Sequence, residues 1–143
     1  MDAVQLLEGD APFIADTSAW WRFSSLPAVL AGLIKQAMGD DRLWITPIVR
    51  MEILYSTRST SEYTAVETEL DGFRILRNDR AVTDAAMSAV GELAERSDAY
   101  HRVPLTDALI AAEHGGIALL HRDAHFDKLA EVLTFENVEL PRS

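Results

Sequence analysis

The chain has 143 residues and contains no cysteine. This absence excludes disulfides, thiol nucleophiles and zinc sites built from cysteine thiolates. The chain also lacks an apolar run near the roughly 20 residues that a membrane-spanning helix needs. Its N-terminus has neither the basic nor the apolar region of a secretory signal peptide. We therefore expect a cytoplasmic protein that has no contact with a membrane.

Positive charge is scarce in this sequence. There are 13 Lys and Arg residues against 23 Asp and Glu residues, which gives a formal net charge of −10. A sequence-independent nucleic-acid binder usually carries a basic surface, so this balance argues against generic DNA wrapping. It is compatible with a nuclease whose carboxylates hold cations, and it favours docking with a basic partner.

The chain has no internal repeat, no low-complexity segment and no linker rich in Pro, Gly or Ser. We therefore predict a single domain over 1–143, with an irregular or weakly helical extension at 1–11. Short apolar segments alternate with helical patterns, which predicts an α/β fold with helices on both faces of a mainly parallel sheet. The predicted strands are 12–15, 43–45, 73–76, 117–120 and 138–140, and the predicted helices are 27–38, 47–57, 61–70, 80–97, 106–114 and 123–132.

Four acidic residues stand where a buried strand ends or a helix begins: Asp16, Glu52, Asp107 and Asp123. The carboxyl ends of parallel strands share one edge of a sheet, where sites form in open α/β folds. Carboxylates gathered there repel one another, and a divalent cation with oxygen ligands is the usual remedy. The pattern predicts a metal-dependent enzyme that cleaves phosphodiesters.

Each acidic residue also has a purely structural explanation. Asp16 and Asp107 fit helix caps. Glu52 lies in a largely apolar helix start, where an unpaired carboxylate costs several kcal/mol, so a salt bridge to Arg50 or Arg22 is its alternative.

The segments 14–19 (IADTSA), 46–55 (TPIVRMEILY), 105–112 (LTDALIAA) and 120–126 (LHRDAHF) resemble, in order, the four signature blocks of PIN-domain ribonucleases. They are most similar to VapC toxins of bacterial toxin–antitoxin pairs. The resemblance implies a three-layer α/β/α domain with a central, mainly parallel sheet. It also implies an endoribonuclease dependent on Mg²⁺ or Mn²⁺, in which Asp16, Glu52, Asp107 and Asp123 are the catalytic and metal-holding residues.

The resemblance also implies supporting residues around the carboxylates. Thr17 and Ser18 match hydroxyl positions that orient the first Asp or a metal-bound water. Thr106 precedes Asp107, and we predict that it caps the helix there. Family members often carry an Asp two positions after the fourth acidic residue. His125 occupies that position here, and Asp127 is the nearby alternative.

The other basic and imidazole side chains give weaker signals. The spacing of the four histidines (His101, His114, His121 and His125) matches no standard zinc pattern. His121 and Arg122 directly precede Asp123 and are candidates for contact with the substrate phosphate, and Arg22 is a weaker one.

The resemblance further implies an RNA substrate, a homodimer and a cognate VapB-like antitoxin. A basic antitoxin segment would suit the acidic pocket, because an Arg placed among carboxylates makes strong charge-assisted hydrogen bonds. Apolar residues after the first two blocks are candidates for the partner surfaces: Trp20, Trp21, Phe23, Leu54 and Tyr55.

Three other functions fit the sequence less well. A receiver-type signalling domain needs paired acidic residues after its first strand and a Lys after its last, whereas this chain has Thr17 and Pro141 there. A haloacid-dehalogenase-type phosphatase needs an Asp where this chain has Ser18. A binding module without catalytic activity is disfavoured because all four acidic residues are present.

Overall fold

A computed structural model describes residues 1–96 and 102–141 of the chain. His101, and position 97 at the end of the predicted helix 80–97, lie outside these ranges. The described residues form a four-stranded sheet of β1 (Phe13–Ala15), β2 (Leu43–Trp44), β3 (Ala118–His121) and β4 (Asn137–Glu139). The strand order is β2-β1-β3-β4 and every pairing is parallel. The carboxyl ends of all four strands therefore meet at one edge of the sheet.

Helices account for most of the remaining described chain. They are α1 (Ala3–Glu8), α2 (Thr17–Trp20), α3 (Ala28–Gly39), α4 (Pro47–Tyr55), α5 (Thr60–Leu70), α6 (Arg80–Arg96), α7 (Leu105–Ala112) and α8 (His125–Leu129), with a 3₁₀ turn at Phe23–Ser25. None of the helices within the described ranges is both long and apolar enough to cross a membrane.

Alternate strand residues pack into two different apolar cores. Ile14 and Leu119 belong to a core shared with α4 to α8. Phe13, Ala15 and Leu120 belong to a second core shared with α1, α2 and α3. Since successive side chains of a strand point to opposite faces, helices cover both faces of the sheet. The predicted α/β/α architecture with a parallel sheet is therefore confirmed.

The N-terminal segment differs from the prediction. The sequence suggested an irregular or weakly helical extension at 1–11, but α1 is a capped helix with Ala3, Leu6 and Leu7 buried. The Asp2 side chain accepts a hydrogen bond from the Gln5 amide, and the Gln5 side chain accepts one from the Asp2 amide. This reciprocal capping box was visible in the sequence as an Asp followed three residues later by a Gln.

Two other predicted elements change extent. Residues 73–76 form no strand, because only Ile75 makes a bridge, to Ile45 beyond the end of β2. The predicted helix 123–132 is limited to α8, which begins two residues after Asp123.

The Arg42 side chain connects α1 to the rest of the domain through hydrogen bonds. Its guanidinium is almost fully buried and donates hydrogen bonds to the carbonyls of Leu6, Leu7 and Ala11 at 2.8, 3.0 and 3.1 Å. Those carbonyls lie at or just beyond the C-terminal end of α1, where helical hydrogen bonding runs out. The Leu6 carbonyl also accepts a hydrogen bond from the Gly9 amide at 3.3 Å. A cation there also complements the negative end of the helix dipole.

Candidate active site

Asp16 directly follows β1 and serves as the N-cap of α2. Its side chain is 3% exposed and accepts hydrogen bonds from the amides of Ser18 and Ala19, both at 3.2 Å. The Ser18 hydroxyl donates to the same carboxylate at 2.8 Å. Burial raises the pKa of Asp16 to about 6 despite these donors, and the Asp107 charge adds to the rise. The predicted cap is therefore real, yet it leaves a buried carboxyl beside a second acid.

Ser18 also joins two strand ends that are far apart in sequence. Its hydroxyl accepts a hydrogen bond from the Arg122 amide at 2.9 Å. Arg122 follows β3, so this one side chain connects the turn after β1 to the turn after β3. The predicted supporting position of Ser18 next to Asp16 agrees with this geometry.

Glu52 is held in place by Thr17. The Thr17 hydroxyl donates a hydrogen bond to the Glu52 carboxylate at 2.7 Å. Thr17 therefore supports the second acidic residue, whereas the sequence linked it to the first or to a metal-bound water. The alternative salt bridge to Arg50 is wrong, because Arg50 pairs with Asp71 at 2.8 Å.

Asp107 lies in the first turn of α7 and is electrostatically linked to the other three acids. Burial, followed by the Asp123 charge, raises the pKa of Asp107 to about 6, and the Glu52 charge contributes in the same direction. Asp107 in turn raises the pKa of Asp16. The four acidic residues singled out from the sequence therefore meet at the carboxyl edge of the sheet.

His125 stands between two of these carboxylates. Its Nδ1 atom is 3.1 Å from Asp107 Oδ2 and 3.0 Å from Asp123 Oδ1. The backbone amide of His125 donates to the same Asp123 oxygen at 3.0 Å. Asp123 and His125 side chains are each 37% exposed, whereas Asp107 is 15% exposed. The site therefore opens to solvent at Asp123 and His125.

This donor set fits a divalent cation. Ligand atoms of Asp107, Asp123 and His125 all lie within 4.8 Å of one another. Burial first, and the neighbouring acids second, raise the pKa of Asp16 and Asp107 and so disfavour their charged forms. A bound cation would stabilise those charged forms.

Comparison with known proteins identifies the family. The PIN domain model matches residues 13–132. Ribonuclease VapC18 of Mycobacterium tuberculosis is 34% identical over 123 residues, covering 84% of this chain and 88% of the relative. Ribonuclease VapC51 of the same organism is also 34% identical, covering 84% of this chain and 86% of the relative. This chain belongs to the VapC group of PIN-domain proteins.

Solved VapBC structures share the fold of this VapC-group chain. The DNA-bound VapBC of Salmonella typhimurium matches with a TM-score of 0.68 at 18% identity, covering 90% of this chain and 98% of that one. VapBC-5 of Mycobacterium tuberculosis matches with a TM-score of 0.64 at 20% identity, covering 91% and 99%.

One predicted supporting residue of this VapC-group chain, Thr106, does not have the role that the sequence predicted. Thr106 is not the cap of α7, because the helix begins at Leu105 and Pro104 is the N-cap residue. Thr106 is exposed and borders a groove beside Thr17 and Glu52 instead.

His121 and Arg122 were predicted as phosphate contacts, and the structure does not favour either. His121 is fully buried against Phe126, and burial lowers its pKa. The Arg122 guanidinium forms an ion pair with Glu139 on β4. Arg22, the weaker candidate, is exposed on the turn after α2.

His125 occupies the position two residues after the fourth acid, where family members often carry an Asp. The sequence signal that points to His125 as part of the site is this spacing from Asp123. Helical geometry predicted Asp127 to be a surface residue more than a substitute ligand. Asp127 accepts a hydrogen bond from the Asn137 side chain at 2.9 Å on the exposed surface, in agreement with that prediction.

An open groove runs beside Glu52. It is lined by Thr17, Trp21, Ile48, Met51, Glu52, Tyr55, Ser56 and Thr106. Of the five apolar residues predicted for partner surfaces, only Trp21 and Tyr55 are open, at 54% and 92% exposure. Leu54 is buried, and Trp20 and Phe23 pack against the core. Fewer of these residues are therefore exposed, and so available to a partner, than the sequence predicted.

Proposed function

We propose that this protein is an endoribonuclease toxin that cleaves RNA phosphodiester bonds with water, using Mg²⁺ or Mn²⁺ held by Asp16, Glu52, Asp107 and Asp123. The observation that carries this proposal is the meeting of four carboxylates at the carboxyl edge of the sheet, two of them with raised pKa values. The curated relatives are named ribonucleases, which points to RNA as the substrate.

The chain's own residues have distinct tasks in this mechanism. Asp107 and Asp123 would hold the ion at the open side of the site, where the scissile phosphate can enter. Asp16 is fixed by three donors and has little freedom to move, so it suits a role in orienting the ion or its waters. When bound, a divalent ion lowers the pKa of a coordinated water and neutralises charge that develops on the phosphate.

Glu52 lies on the groove side of the cluster, steadied by Thr17. A carboxylate accepts but cannot donate hydrogen bonds when ionised. Glu52 is therefore suited to accept a proton from the attacking water or to hold that water in line with the scissile bond. Ser18 keeps the turn after β1 aligned with the turn after β3 during this step.

We further propose a VapB-like antitoxin as the partner that keeps the protein inactive. VapBC complexes share this fold. The groove offers exposed apolar surface at Trp21, Met51 and Tyr55 next to the Glu52 carboxylate. That combination suits a helix with apolar anchors followed by an Arg or Lys that reaches the acids. A homodimer is proposed on the family resemblance, and light scattering of the purified chain tests it.

Cleavage of labelled cellular RNA by the antitoxin-free protein tests the enzymatic proposal. Reactions contain Mg²⁺, Mn²⁺ or EDTA and compare the wild type with Asp16→Asn. Asp84→Asn is the matched control, because Asp84 lies on exposed α6 far from the acids in sequence. We expect metal-dependent cutting by the wild type and the control, and at least a hundredfold loss in Asp16→Asn, as about 3 kcal/mol of transition-state stabilisation corresponds to that factor.

Three outcomes would count against these proposals. Cutting that persists in EDTA would exclude the metal-dependent mechanism. Saturable antitoxin binding without any RNA cutting would favour a binding module that keeps the fold but has no activity. A purified toxin–antitoxin complex that retains full ribonuclease activity would contradict inhibition by the partner.

A further inference from the structure

The position of His125 carries an inference about the metal, and it rests on the function proposed above. Nδ1 of this residue faces both Asp107 and Asp123, at 3.1 and 3.0 Å from one oxygen of each. The group is half-exposed, so an ion can approach it from solvent. The three ligand atoms lie close together and come from α7, from the turn before α8 and from the first residue of α8.

These two nitrogen–oxygen distances match the distance between neighbouring ligands in an octahedral coordination shell. Ligands about 2.1 Å from an ion stand about 3.0 Å apart when they occupy neighbouring octahedral positions. The Nδ1 atom is at that spacing from both carboxylate oxygens without any movement of the backbone. In the ion-free chain a proton on Nδ1 would be donated in a hydrogen bond to one of these carboxylates. For Nδ1 to bind an ion, the neutral ring would carry its proton on Nε2, which leaves the Nδ1 lone pair free.

The backbone also fixes the direction of the ring. The His125 amide donates to Asp123 Oδ1 at 3.0 Å, so one carboxylate is bound to both the main chain and the ring of the same residue. The second carboxylate approaches from Asp107 on a different helix. These contacts keep Nδ1 of His125 directed toward the Asp107 and Asp123 carboxylates.

We propose that His125 is a nitrogen ligand of the catalytic ion and that it makes the site select Mn²⁺ over Mg²⁺. Mg²⁺ binds oxygen ligands and accepts nitrogen poorly, whereas first-row transition ions accept imidazole readily. An acidic residue at position 125 would give an all-oxygen site suited to Mg²⁺. The histidine therefore changes which ion the site prefers while the position of the ligand atom stays similar.

The test is direct ion binding to the metal-stripped, antitoxin-free full chain, with Mn²⁺ and Mg²⁺ as the probes. Calorimetry gives the ratio of the two affinities, and pulsed electron paramagnetic resonance of bound Mn²⁺ detects coupling to an imidazole nitrogen. The variants are His125→Asp, which restores an oxygen ligand, and His125→Ala, which removes the ligand. His114→Asn is the control, because it keeps an acceptor for the Gly116 amide at a histidine outside the cluster.

We expect nitrogen coupling in the wild type and in His114→Asn, and none in His125→Asp or His125→Ala. We also expect the preference for Mn²⁺ over Mg²⁺ to fall at least about tenfold in His125→Asp, the scale on which changes around a metal alter its affinity. Mn²⁺ bound without nitrogen coupling, or an unchanged preference, would overturn this inference and leave the proposed nuclease intact. If neither ion binds the wild type, both the inference and the metal-dependent function fail.

Discussion

A single hydroxyl group positions the Glu52 carboxylate. The Thr17 hydroxyl donates to it across the gap between α2 and α4 at 2.7 Å. The sequence predicted both residues as part of the site but not their contact, because residues 35 positions apart are brought together only by the packed fold. Local patterns identified which residue types matter, and the three-dimensional arrangement determined which of them touch.

Replacing Thr17 with Val tests this contact. Valine has nearly the same shape but no hydroxyl, so the Glu52 carboxylate loses its fixed direction. We expect the cleavage rate to fall about tenfold, equivalent to about 1.4 kcal/mol, and the free energy of unfolding to fall by about 1 kcal/mol. Rate measurements and urea denaturation give the two values. Thr17→Ser keeps the hydroxyl and should retain most of the activity; an equal loss in both variants would contradict the role of this hydrogen bond.

The buried acids predict an unusual pH dependence for the metal-free chain. Burial raises the pKa of Asp16 and Asp107 to about 6 and that of Glu113 to about 7. At Glu113 burial dominates, and the backbone amide of Ile48 offsets only part of the rise. The folded chain therefore binds protons more tightly than the unfolded chain at these three carboxyls, and its stability falls as pH rises between the two pKa values.

We expect the urea midpoint measured in EDTA to decrease from pH 5 to pH 8, with most of the change complete near pH 7. Glu113→Gln removes one of the three groups, so its midpoint should fall less over this range. Adding Mn²⁺ at pH 8 should restore stability, because the ion binds the ionised carboxylates of the folded chain. A midpoint that rises with pH in EDTA would show that the burial of these acids does not control stability.

At the scale of the element, short strands and helix starts were the best-predicted features. The strands β1 to β4 were each expected within a few residues, because apolar runs and capping residues are local signals. The failures had non-local causes. Residues 73–76 have a strand-like composition, yet only Ile75 makes a bridge, to a chain segment just beyond β2. Whether an edge segment pairs depends on its neighbours, which the sequence does not reveal.

The N-terminal helix provides a test at this scale. Arg42 donates hydrogen bonds to three carbonyl groups at and just beyond the end of α1, those of Leu6, Leu7 and Ala11. Arg42→Met removes the donors while keeping an apolar side chain of similar length. We expect the free energy of unfolding to fall by about 2–4 kcal/mol, since hydrogen bonds from a charged donor contribute about 1.5–3 kcal/mol each and are not additive.

Denaturation in urea measures this loss. The control is Arg80→Met, because Arg80 is 94% exposed and its change should stay within about 0.5 kcal/mol. Equal effects of the two substitutions would show that α1 is not held by Arg42.

At the scale of the whole molecule, a strongly acidic protein presents an exposed apolar groove next to its acidic cluster. The net charge of −10 favours rapid association with a basic partner, and the groove supplies the area for stable contact. The composition predicts that this surface attracts a basic partner. Which apolar residues remain exposed could not be predicted, because Leu54 and Tyr55 are neighbours in sequence but are 9% and 92% exposed.

Tyr55→Ala tests the groove as the antitoxin surface. Tyr55 is 92% exposed, so its removal should leave the fold and RNA cleavage unchanged. An aromatic anchor at the centre of an interface is typically worth about 2 kcal/mol or more, so we expect antitoxin affinity to fall about thirtyfold. Surface plasmon resonance measures that affinity. Tyr63→Ala removes an exposed tyrosine from α5 as the control, and the same loss there would argue against the groove.

The strand order has a consequence for how the protein is made. β1 lies between β2 and β3, but β3 begins only at Ala118, and Asp123 follows it. A ribosome must therefore synthesise the chain as far as β3 before the central strand gains its second neighbour, and as far as Asp123 before the fourth carboxylate exists. Since chains emerge N-terminus first at about 5–20 residues per second, the acidic site is completed late. A translation product that stops before residue 123 lacks the fourth carboxylate and therefore the complete acidic site.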